Sequence, residues 1–600
     1  MKAFLAALLC FSGGLCAQTQ IQNQCDNTPA YAPCEIVFEL PANPAAHPSP
    51  YTDVDLKVEF RSPDMHTLTM PGFWDGGRRM VVRLTPLQAG KWDYMVESNI
   101  PEWNDQTGSF MAIAGDKRGF IRPANVHHWE YTEKTEDDMD QPHLWMGATD
   151  LRMGFEDDAA FKAMADERAA EKFNHLRGLV LGTGAVANGA AAYQGPDSPN
   201  VNYFRRLDAR VRYLNEKGII ADLTLAATPG DLVKAFASAD QRRRFVRYVV
   251  ARYAPMNVTW QAVDEWEGML NARGIVKEIG AALKEMDTYG HPRTSCARVT
   301  STPLLDDGWM DFAAHGNGDD QVAAIEHQLY TVPFVDFDFA PGVREADTFR
   351  HRLWNAFMDG QYLTAAGPEG APGADAKAMT VMYNFLAGTR YWELEPYFDV
   401  DGGRAVALDD VEYVVYIEKP GPIELLVKKH GYDVFWLNPG TGESVREKKK
   451  FSGDHFTGQP PDNSHDWVLH VVRQSHLEGM NRSYKLESRE IGMQVVEANT
   501  QKVPFTIDQP KSDIARSKPA AYAAKMTKET RAARTMMWLW EGEVAADHQG
   551  YRILATGQQG TFTVPADIAQ NYPAIMHYRL YGMNANGKVY ELDGACGIEP

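Results

Sequence analysis

Three regimes of hydrophobic patterning divide the chain. From about residue 30 to 115, apolar and polar residues alternate in short runs: Cys34-Glu-Ile-Val-Phe-Glu-Leu40, Val54-Asp-Leu-Lys-Val-Glu-Phe60 and Arg79-Met-Val-Val-Arg-Leu84. A period near two is the mark of half-buried strands. Pro41-Ala-Asn-Pro44, Asp75-Gly-Gly77 and Ala89-Gly90 supply the turns between them. Short strands at this spacing predict a small β-sandwich. The acidic stretch from Glu133 to Gln141 reads as a loop.

Near residue 143 short apolar runs begin to alternate with stretches of helical period. His143 to Ala148, Leu176 to Leu181, Ile219 to Leu225, Val258 to Val263, Arg293 to Cys296, Trp309 to Phe312 and Pro333 to Asp338 read as strands. Asp157 to Asn174, Tyr203 to Lys217, Gln241 to Tyr253, Leu270 to Met286, Asp320 to Leu329 and Thr348 to Met358 read as helices. Repeated strand–helix units predict a parallel sheet. Seven units and a closing segment at Gln361 to Ala365 fit a (β/α)8 TIM barrel, with a doubly wound open sheet as the competing topology. Beyond about residue 400 the helical period is gone. Tyr413 to Ile417, Ile423 to Val427 and Trp467 to Val472 read as strands, as do Thr535 to Trp540, Thr561 to Val564 and Met576 to Leu580.

A chain of 600 residues exceeds what one hydrophobic core supports. Its formal charge of -20 repels polyphosphate, so no nucleic-acid partner is expected, and neutral or basic sugar polymers stay open. Met1-Lys2-Ala3, the apolar stretch Phe4 to Phe11 and the small residues up to Ala17 have the form of an export signal cut after Ala17. Leu15 before Cys16 argues against a lipoprotein. The reading is a secreted or periplasmic protein with no later membrane span. Of the remaining cysteines, Cys25 and Cys34 are expected to close a small disulfide loop in an oxidising compartment. Cys296 is expected to be a buried thiol outside any disulfide, and Cys596 a tail residue. No CxxC pair or compact Cys/His cluster is present, so no metal or other cofactor is expected.

Two acidic segments carry the candidate chemistry. Val258-Thr-Trp-Gln-Ala-Val263 leads directly to Asp264 and Glu265, and Val332-Pro-Phe-Val-Asp-Phe-Asp-Phe-Ala340 carries Asp336 and Asp338. Barrel strands point their C-terminal ends at the active-site mouth. Two opposed carboxylates there are the equipment for breaking a glycosidic bond. Glu265 is the candidate general acid, and Asp338 the candidate nucleophile or general base. Asp264 and Asp336 are candidate sugar ligands, with Asp150 after the first strand. Trp266 could offer a flat ring to a sugar face. His291, Arg293 and His315, near strand ends, could bind hydroxyls or a uronate. The plainer alternatives are that Asp264, Glu265 and Glu267 open a helix, that Asp336 and Asp338 hold an Arg or Lys in a structural salt bridge, and that the tryptophan and histidines are core residues. GxGxxG after a strand, a P-loop, HExxH and GxSxG are all absent.

Several segments resemble a known group. Pro71-Gly-Phe-Trp-Asp-Gly76, Arg83-Leu-Thr-Pro86, Gly90-Lys-Trp-Asp-Tyr94 and Thr107-Gly-Ser-Phe110 resemble the immunoglobulin-like DUF5060 domain. Gly147-Ala-Thr-Asp150, Asp287-Thr-Tyr-Gly-His-Pro-Arg-Thr-Ser295 and Arg252 to Trp260 followed by Asp264-Glu265 resemble the DUF4038/apiosidase-like TIM barrel of glycoside hydrolase-like proteins. Glu412-Tyr-Val-Val-Tyr416 and Trp436 to Gly442 resemble the β domain that follows such barrels. The resemblance implies Glu265 as acid/base. Two departures stand against it: Asp264 replaces the clan's usual Asn, and Asp338 falls where a Glu nucleophile is expected.

The resulting domain reading is a leader at 1–17, an immunoglobulin-like β-sandwich at 30–118, a (β/α)8 catalytic barrel at 119–400, a β-sandwich at 401–500 and a second C-terminal β domain at 501–600. The function it implies is a secreted glycoside hydrolase with a carbohydrate substrate. The alternative is a non-catalytic carbohydrate-binding or surface-assembly protein on a degenerate barrel. Homo-oligomer formation stays open.

Overall fold

A computed structural model of the chain describes residues 21–41, 47–182, 191–267, 269, 271–316, 319–343, 345–366, 374–474, 503–516, 518–527, 536–547, 549–564 and 574–599. Of residues 338, 374, 375 and 546 it describes the backbone only. The expected leader at 1–17 lies outside the described residues. The chain divides into two compact units, residues 1–116 and 117–600.

The first unit is all β apart from one helical turn at Pro50–Asp53. Its four-stranded sheet runs Ile21–Asn23, Cys34–Glu39, Arg79–Leu84, Phe73–Trp74. Its five-stranded sheet runs Thr28–Pro29, Thr107–Ile113, Gly90–Ser98, Leu56–Arg61, Thr67–Pro71. Alternation along Leu56–Arg61 buries Leu56, Val58 and Phe60, as a pleat with one face on a core requires. Trp92 and Phe110 stack 6.2 Å apart between neighbouring strands. Cys25 and Cys34 form a disulfide.

The second unit is built on eight parallel strands: β1 (Met146–Thr149), β2 (His175–Leu179), β3 (Ile220–Ala226), β4 (Val258–Val263), β5 (Arg293–Thr294), β6 (Ala313–His315), β7 (Phe334–Phe339) and β8 (Gln361–Ala365). They pair in the order β5-β4-β3-β2-β1-β8-β7-β6, every pair parallel. The sheet is a nearly closed barrel. At its seam, between β5 and β6, Asp311 N–H donates to Arg293 O at 2.9 Å and Thr294 Oγ1 donates to Phe312 O at 2.9 Å. The closed parallel sheet excludes the doubly wound alternative.

The sixth strand is a correction to the expectation at Trp309 to Phe312. That segment is the approach to β6, because the Trp309 carbonyl and the Asp311 carboxylate are both taken by the Arg293 guanidinium. Helices α1 (Asp158–Ala170), α2 (Val201–Glu216), α3 (Pro229–Ala235), α4 (Ala239–Tyr253), α5 (Ala272–Met286), α6 (Asp320–Leu329), α7 (Ala346–Met358) and α8 (Ala374–Leu386) surround the strands. Asp157, Asn200 and Thr228 cap the first three through side-chain oxygens, and Ser238 with Gln241 forms a capping box on α4.

The N-terminal ends of the strands are covered by a ribbon, Ile121–Ala124, His128–Tyr131 and Gln141–Pro142. Its Trp129 packs 5.1 Å from both Trp145 and Phe312, the residues that enter β1 and β6. After the barrel comes an eight-stranded sheet in which Glu395–Tyr397, Arg404–Leu408, Glu412–Ile417, Trp467–Arg473, Ile423–Leu437 and Val400–Asp401 follow in that order, with Ser444–Arg446 and Phe451–Gly458 also paired to Ile423–Leu437. It is fastened to α7 by Arg350, whose guanidinium lies 2.6 Å from Asp466, and by Trp354 stacked on Tyr416.

Residues 503–599 form a three-stranded and a five-stranded sheet around Trp538, Trp540, Met576, Leu580 and Ile598. Leu539, Tyr581 and Met583 of this region pack on Val322 and Ile325 of α6. Cys596 is no loose tail residue: it is buried in the last strand, Val589–Glu599, because that strand lies against Ala574–Met583 along its length. Among the described residues no helix is long and apolar enough to cross a membrane.

Packing between α5 and the seam is tight enough to test. A Cβ on Gly280 would fall 2.0 Å from the Trp309 ring, and that ring is 2 % exposed. Gly280→Ala is therefore expected to destabilise the barrel by about 1–3 kcal/mol through overpacking. The check is the thermal midpoint of unfolding, and an unchanged midpoint would contradict this packing.

Candidate active site

Glu265 sits where β4 ends. All six residues of β4 are buried, and the two that follow emerge at the mouth with their backbone fixed. Asp264 N–H donates to Ala226 O at 3.0 Å and Glu265 N–H to Ala227 O at 2.9 Å, both at the end of β3. On the other side Cys296 N–H donates to Val263 O at 2.9 Å. The Glu265 carboxylate is 42 % exposed and accepts one bond from Arg298 Nε at 2.9 Å. Arg298 is 59 % exposed, so this pair is weak and an incoming polar ligand can displace it. Arg298 N–H in turn donates to Glu267 Oε2 at 3.0 Å, which ties the loop after β4 to the loop after β5. Burial pushes the Glu267 carboxyl above its ordinary range.

Below Glu265 the barrel interior is polar. The Arg177 guanidinium, on β2, has no solvent exposure. Its Nε donates to Gln261 Oε1 at 2.9 Å, its Nη2 is paired with Asp264, and it lies 5.4 Å over the Phe337 ring. Thr224 Oγ1 donates to the same Gln261 oxygen at 2.6 Å. One layer deeper His143 Nε2 and His175 Nε2 are 2.8 Å apart, and Asp222 Oδ1 is 2.9 Å from His175 Nδ1 and accepts from Thr259 at 2.7 Å. A buried guanidinium needs such partners, because stripping it of water costs several kcal/mol.

Asp150 follows β1, its N–H donating to Arg177 O at 2.8 Å. Its carboxyl is pushed up to about 8, first by burial and then by the neighbouring Glu156 carboxyl. A carboxyl in that state is a hydrogen-bond donor at neutral pH. The mouth thus presents a half-exposed carboxylate at Glu265, an ion-paired one at Asp264 and a raised carboxyl at Asp150, all on strand ends.

Five of the other residues chosen from sequence lie elsewhere, and each has a physical reason. Trp266 has no exposed surface. Its Nε1 donates to Thr300 O at 3.2 Å and the Arg552 guanidinium covers its ring at 3.6 Å, so it offers no platform to a sugar. His291 precedes β5, at the strand's N-terminal end, with Nε2 2.7 Å from Ala254 O. Arg293 points away from the barrel interior to Asp311, 3.0 Å away. His315 reaches outward to Glu326 of α6 at 2.8 Å and to Gln361 at 2.8 Å. Asp336 stands beside His315 in register and so shares its outward face, while Phe337 points inward beneath Arg177. Strand alternation forces that split. Asp338 is in β7, whose register with β8 shifts between Asp336 and Phe339; its side chain lies outside those described.

Sequence reasoning missed Arg177, Arg298 and Arg552. Arg177 had a signal: an arginine inside the apolar run Leu176-Arg-Gly-Leu-Val-Leu181 cannot be buried without an anionic partner. Arg298 and Arg552 had none, since their partners are set by loops and by a separate β region. Side chains able to hold a metal, His127, His327 and Glu395, gather at the opposite end of the barrel.

Two family models match the chain. Residues 27–99 match the domain of unknown function DUF5060, and residues 133–337 match the apiosidase-like catalytic domain. No curated protein matches. Among solved structures, one from Bacteroides vulgatus ATCC 8482 described as a "putative glycoside hydrolase" is 18% identical, with a TM-score of 0.64 over 75% of this chain and 100% of its own. A protein described only as a glycoside hydrolase is 16% identical, with a TM-score of 0.51 over 60% and 98% of the two chains. A glycoside hydrolase family 5 structure from Bacteroides vulgatus ATCC 8482 is 15% identical, with a TM-score of 0.50 over 59% and 94%. At these identities the likeness is one of fold.

Two outcomes follow from the geometry. Asp264→Ala removes the carboxylate that pairs with the buried Arg177 guanidinium, and should cost roughly 1–3 kcal/mol of stability; a variant as stable as the parent would show the pair to be dispensable. Because the folded state raises the pKa of Asp150, its neutral form stabilises the fold below the ordinary carboxylate range, and that contribution is lost as pH rises through about 8. Asp150→Asn should therefore flatten the fall in thermal midpoint between about pH 5 and pH 9, measured by scanning calorimetry. An identical fall in both proteins would remove Asp150 as its source.

Proposed function

From the DUF5060/apiosidase-like architecture of this chain, we propose that it is a secreted glycoside hydrolase that cleaves an oligosaccharide or polysaccharide at the mouth of the barrel. The observation that carries this reading is Glu265: a half-exposed carboxylate on a rigid backbone at the C-terminal end of β4, where barrel enzymes place their chemistry. Once substrate displaces Arg298, Glu265 takes up a proton from solvent and passes it to the departing glycosidic oxygen as the bond to the anomeric carbon breaks. Asp338, on β7, is the partner carboxylate, acting as nucleophile or as the base that activates water. Asp150 and the Asp264–Arg177 pair hold sugar hydroxyls, the former as donor and the latter as acceptor. The formal charge of -20 favours neutral or cationic glycans over polyanionic ones. The amino-terminal unit is read as immunoglobulin-like, and export to the periplasm or medium follows from the leader-like first 17 residues.

A second reading is a glycan-binding protein without turnover. It is favoured by a cavity of about 520 Å³ on the five-stranded sheet of the first unit, lined by Glu59, Arg61, Asp93, Tyr94 and Ser109 among others. Such a mixture of charged groups and one ring suits hydroxyl-rich ligands.

The discriminating experiment is a screen of reducing-sugar release over a broad glycan panel, with Glu265→Gln and Asp338→Asn as controls. On the hydrolase reading the parent releases sugar and Glu265→Gln loses roughly 10²–10⁴-fold in rate. Full activity in both variants would overturn the residue assignments. Glycan binding without release by the parent would favour the second reading.

A further inference from the structure

Beneath the barrel, at the end away from Glu265, four side chains from three distant segments meet. His127 and His128 stand at the turn of the ribbon that covers the strand entrances. His327 is in the last turn of α6, and Glu395 opens the strand Glu395–Tyr397. His127 and Glu395 are 268 residues apart in sequence. The three imidazoles are 5 %, 6 % and 3 % exposed, and the carboxylate 22 %.

All three rings aim a nitrogen at that carboxylate. His127 Nδ1 lies 3.0 Å from Glu395 Oε2 and 3.2 Å from Oε1. His128 Nε2 lies 3.3 Å from Oε1, and His327 Nε2 lies 3.4 Å from Oε2. The ligand atoms of His127, His327 and Glu395 all fall within 4.8 Å of one another, and the rings of His127 and His327 are 3.9 Å apart.

Hydrogen bonding alone leaves this arrangement unfinished. His127 Nε2 is 2.9 Å from the Tyr330 carbonyl, an acceptor only, so Nε2 carries a proton. In the neutral ring Nδ1 then turns a lone pair toward a carboxylate. Among the described residues, His128 Nε2 and His327 Nε2 are buried and find no hydrogen-bond partner. Two imidazoles and a carboxylate this close are held together by a cation or by an extra proton.

We propose that His127, His327 and Glu395, with His128 as the fourth donor, form a structural site for one divalent transition metal of the zinc class. Nitrogen and carboxylate donors in this number suit tetrahedral zinc. Bonds of about 2.0–2.2 Å in a tetrahedron set neighbouring ligand atoms about 3.3 Å apart, close to the separations the imidazole nitrogens keep from Glu395. The nitrogen of each ring turned away from the carboxylate is already engaged: His127 Nε2 on Tyr330 O, His128 Nδ1 on the Tyr362 hydroxyl at 2.8 Å, and His327 Nδ1 near Gln328 Nε2 at 3.4 Å. Such contacts fix the tautomers of metal-binding histidines. The ion joins the ribbon, α6 and the sheet that follows the barrel, at the face of a barrel that serves stability and not chemistry.

The test uses the untagged full-length protein, incubated with Zn²⁺, gel-filtered and measured by elemental analysis. Roughly one zinc per chain is expected, with a thermal midpoint that falls on chelation and returns with added Zn²⁺. Co²⁺ loaded in its place should give the visible bands of a four-coordinate site. His327→Gln and Glu395→Gln should lose the metal and the response to chelation, with folding checked by circular dichroism. A parent protein that takes up no zinc and whose midpoint ignores both Zn²⁺ and chelator would overturn the proposal, leaving the cluster held by a shared proton. Full metal content in folded His327→Gln would overturn it too. Neither readout depends on sugar hydrolysis.

Discussion

The buried guanidinium of Arg177 is the constraint around which the barrel interior is arranged. A charge with no solvent exposure has to be met by fixed acceptors, and Gln261, Asp264 and the Phe337 face meet it from three sides. Each comes from a strand or strand end, so the ion binds β2, β4 and β7 together across the barrel. The arrangement also sets the direction of Asp264: with its carboxylate turned inward onto Arg177, the next residue along the chain, Glu265, is the one that meets solvent. An asparagine in place of Asp264 would remove the carboxylate that pairs with the guanidinium at the end of β4, so the choice of aspartate there is explained by Arg177.

Rigidity at the mouth comes from outside the barrel as well. The loop after β4 is tied to β3 by two backbone bonds and to the loop after β5 through Glu267 and Arg298. Trp266 anchors it, and the ring is covered by Arg552 from a β region more than halfway along the remaining chain. On the reading proposed for Glu265 such support matters, since small displacements of a reacting group cost large factors in rate. The C-terminal β region therefore helps to position Glu265 through the Arg552 cover on Trp266.

The eight strands were legible because buried parallel strands are written as apolar runs between helical periods. The run Val258 to Val263 gave both the strand and the position of Glu265. The sixth strand was misplaced by a few residues because Trp309 and Phe312 look like strand residues, while their backbone and that of Asp311 serve the seam and Arg293. Side-chain destinations were less legible. Trp266, His291, Arg293, His315 and Asp336 all have residue types suited to sugars, and all are turned to helices, loops or another β region. Which face a polar residue takes depends on a partner far away in sequence, and a local pattern carries no record of it. The His127, His128, His327 and Glu395 cluster is the extreme case, since no two of its three segments are neighbours in the chain.

Polarity is distributed unevenly along the axis of the barrel, and the distribution has a mechanical sense. The entrances of the strands are filled by Trp129, Trp145 and Phe312, the middle by the layers around Asp222 and Arg177, and the exits by carboxyl groups. Apolar rings thus close the barrel from below, and the charges of Arg177 and Asp222 are met by neighbouring side chains. In that low-dielectric surrounding a carboxyl near the mouth feels its neighbours strongly, which is why Asp150, between a buried strand end and Glu156, holds its proton far above the ordinary carboxylate range. Depth in the barrel thus separates the two carboxyls: Asp150, after β1, is held against buried neighbours, while Glu265, after β4, stands half in solvent where a substrate can reach it.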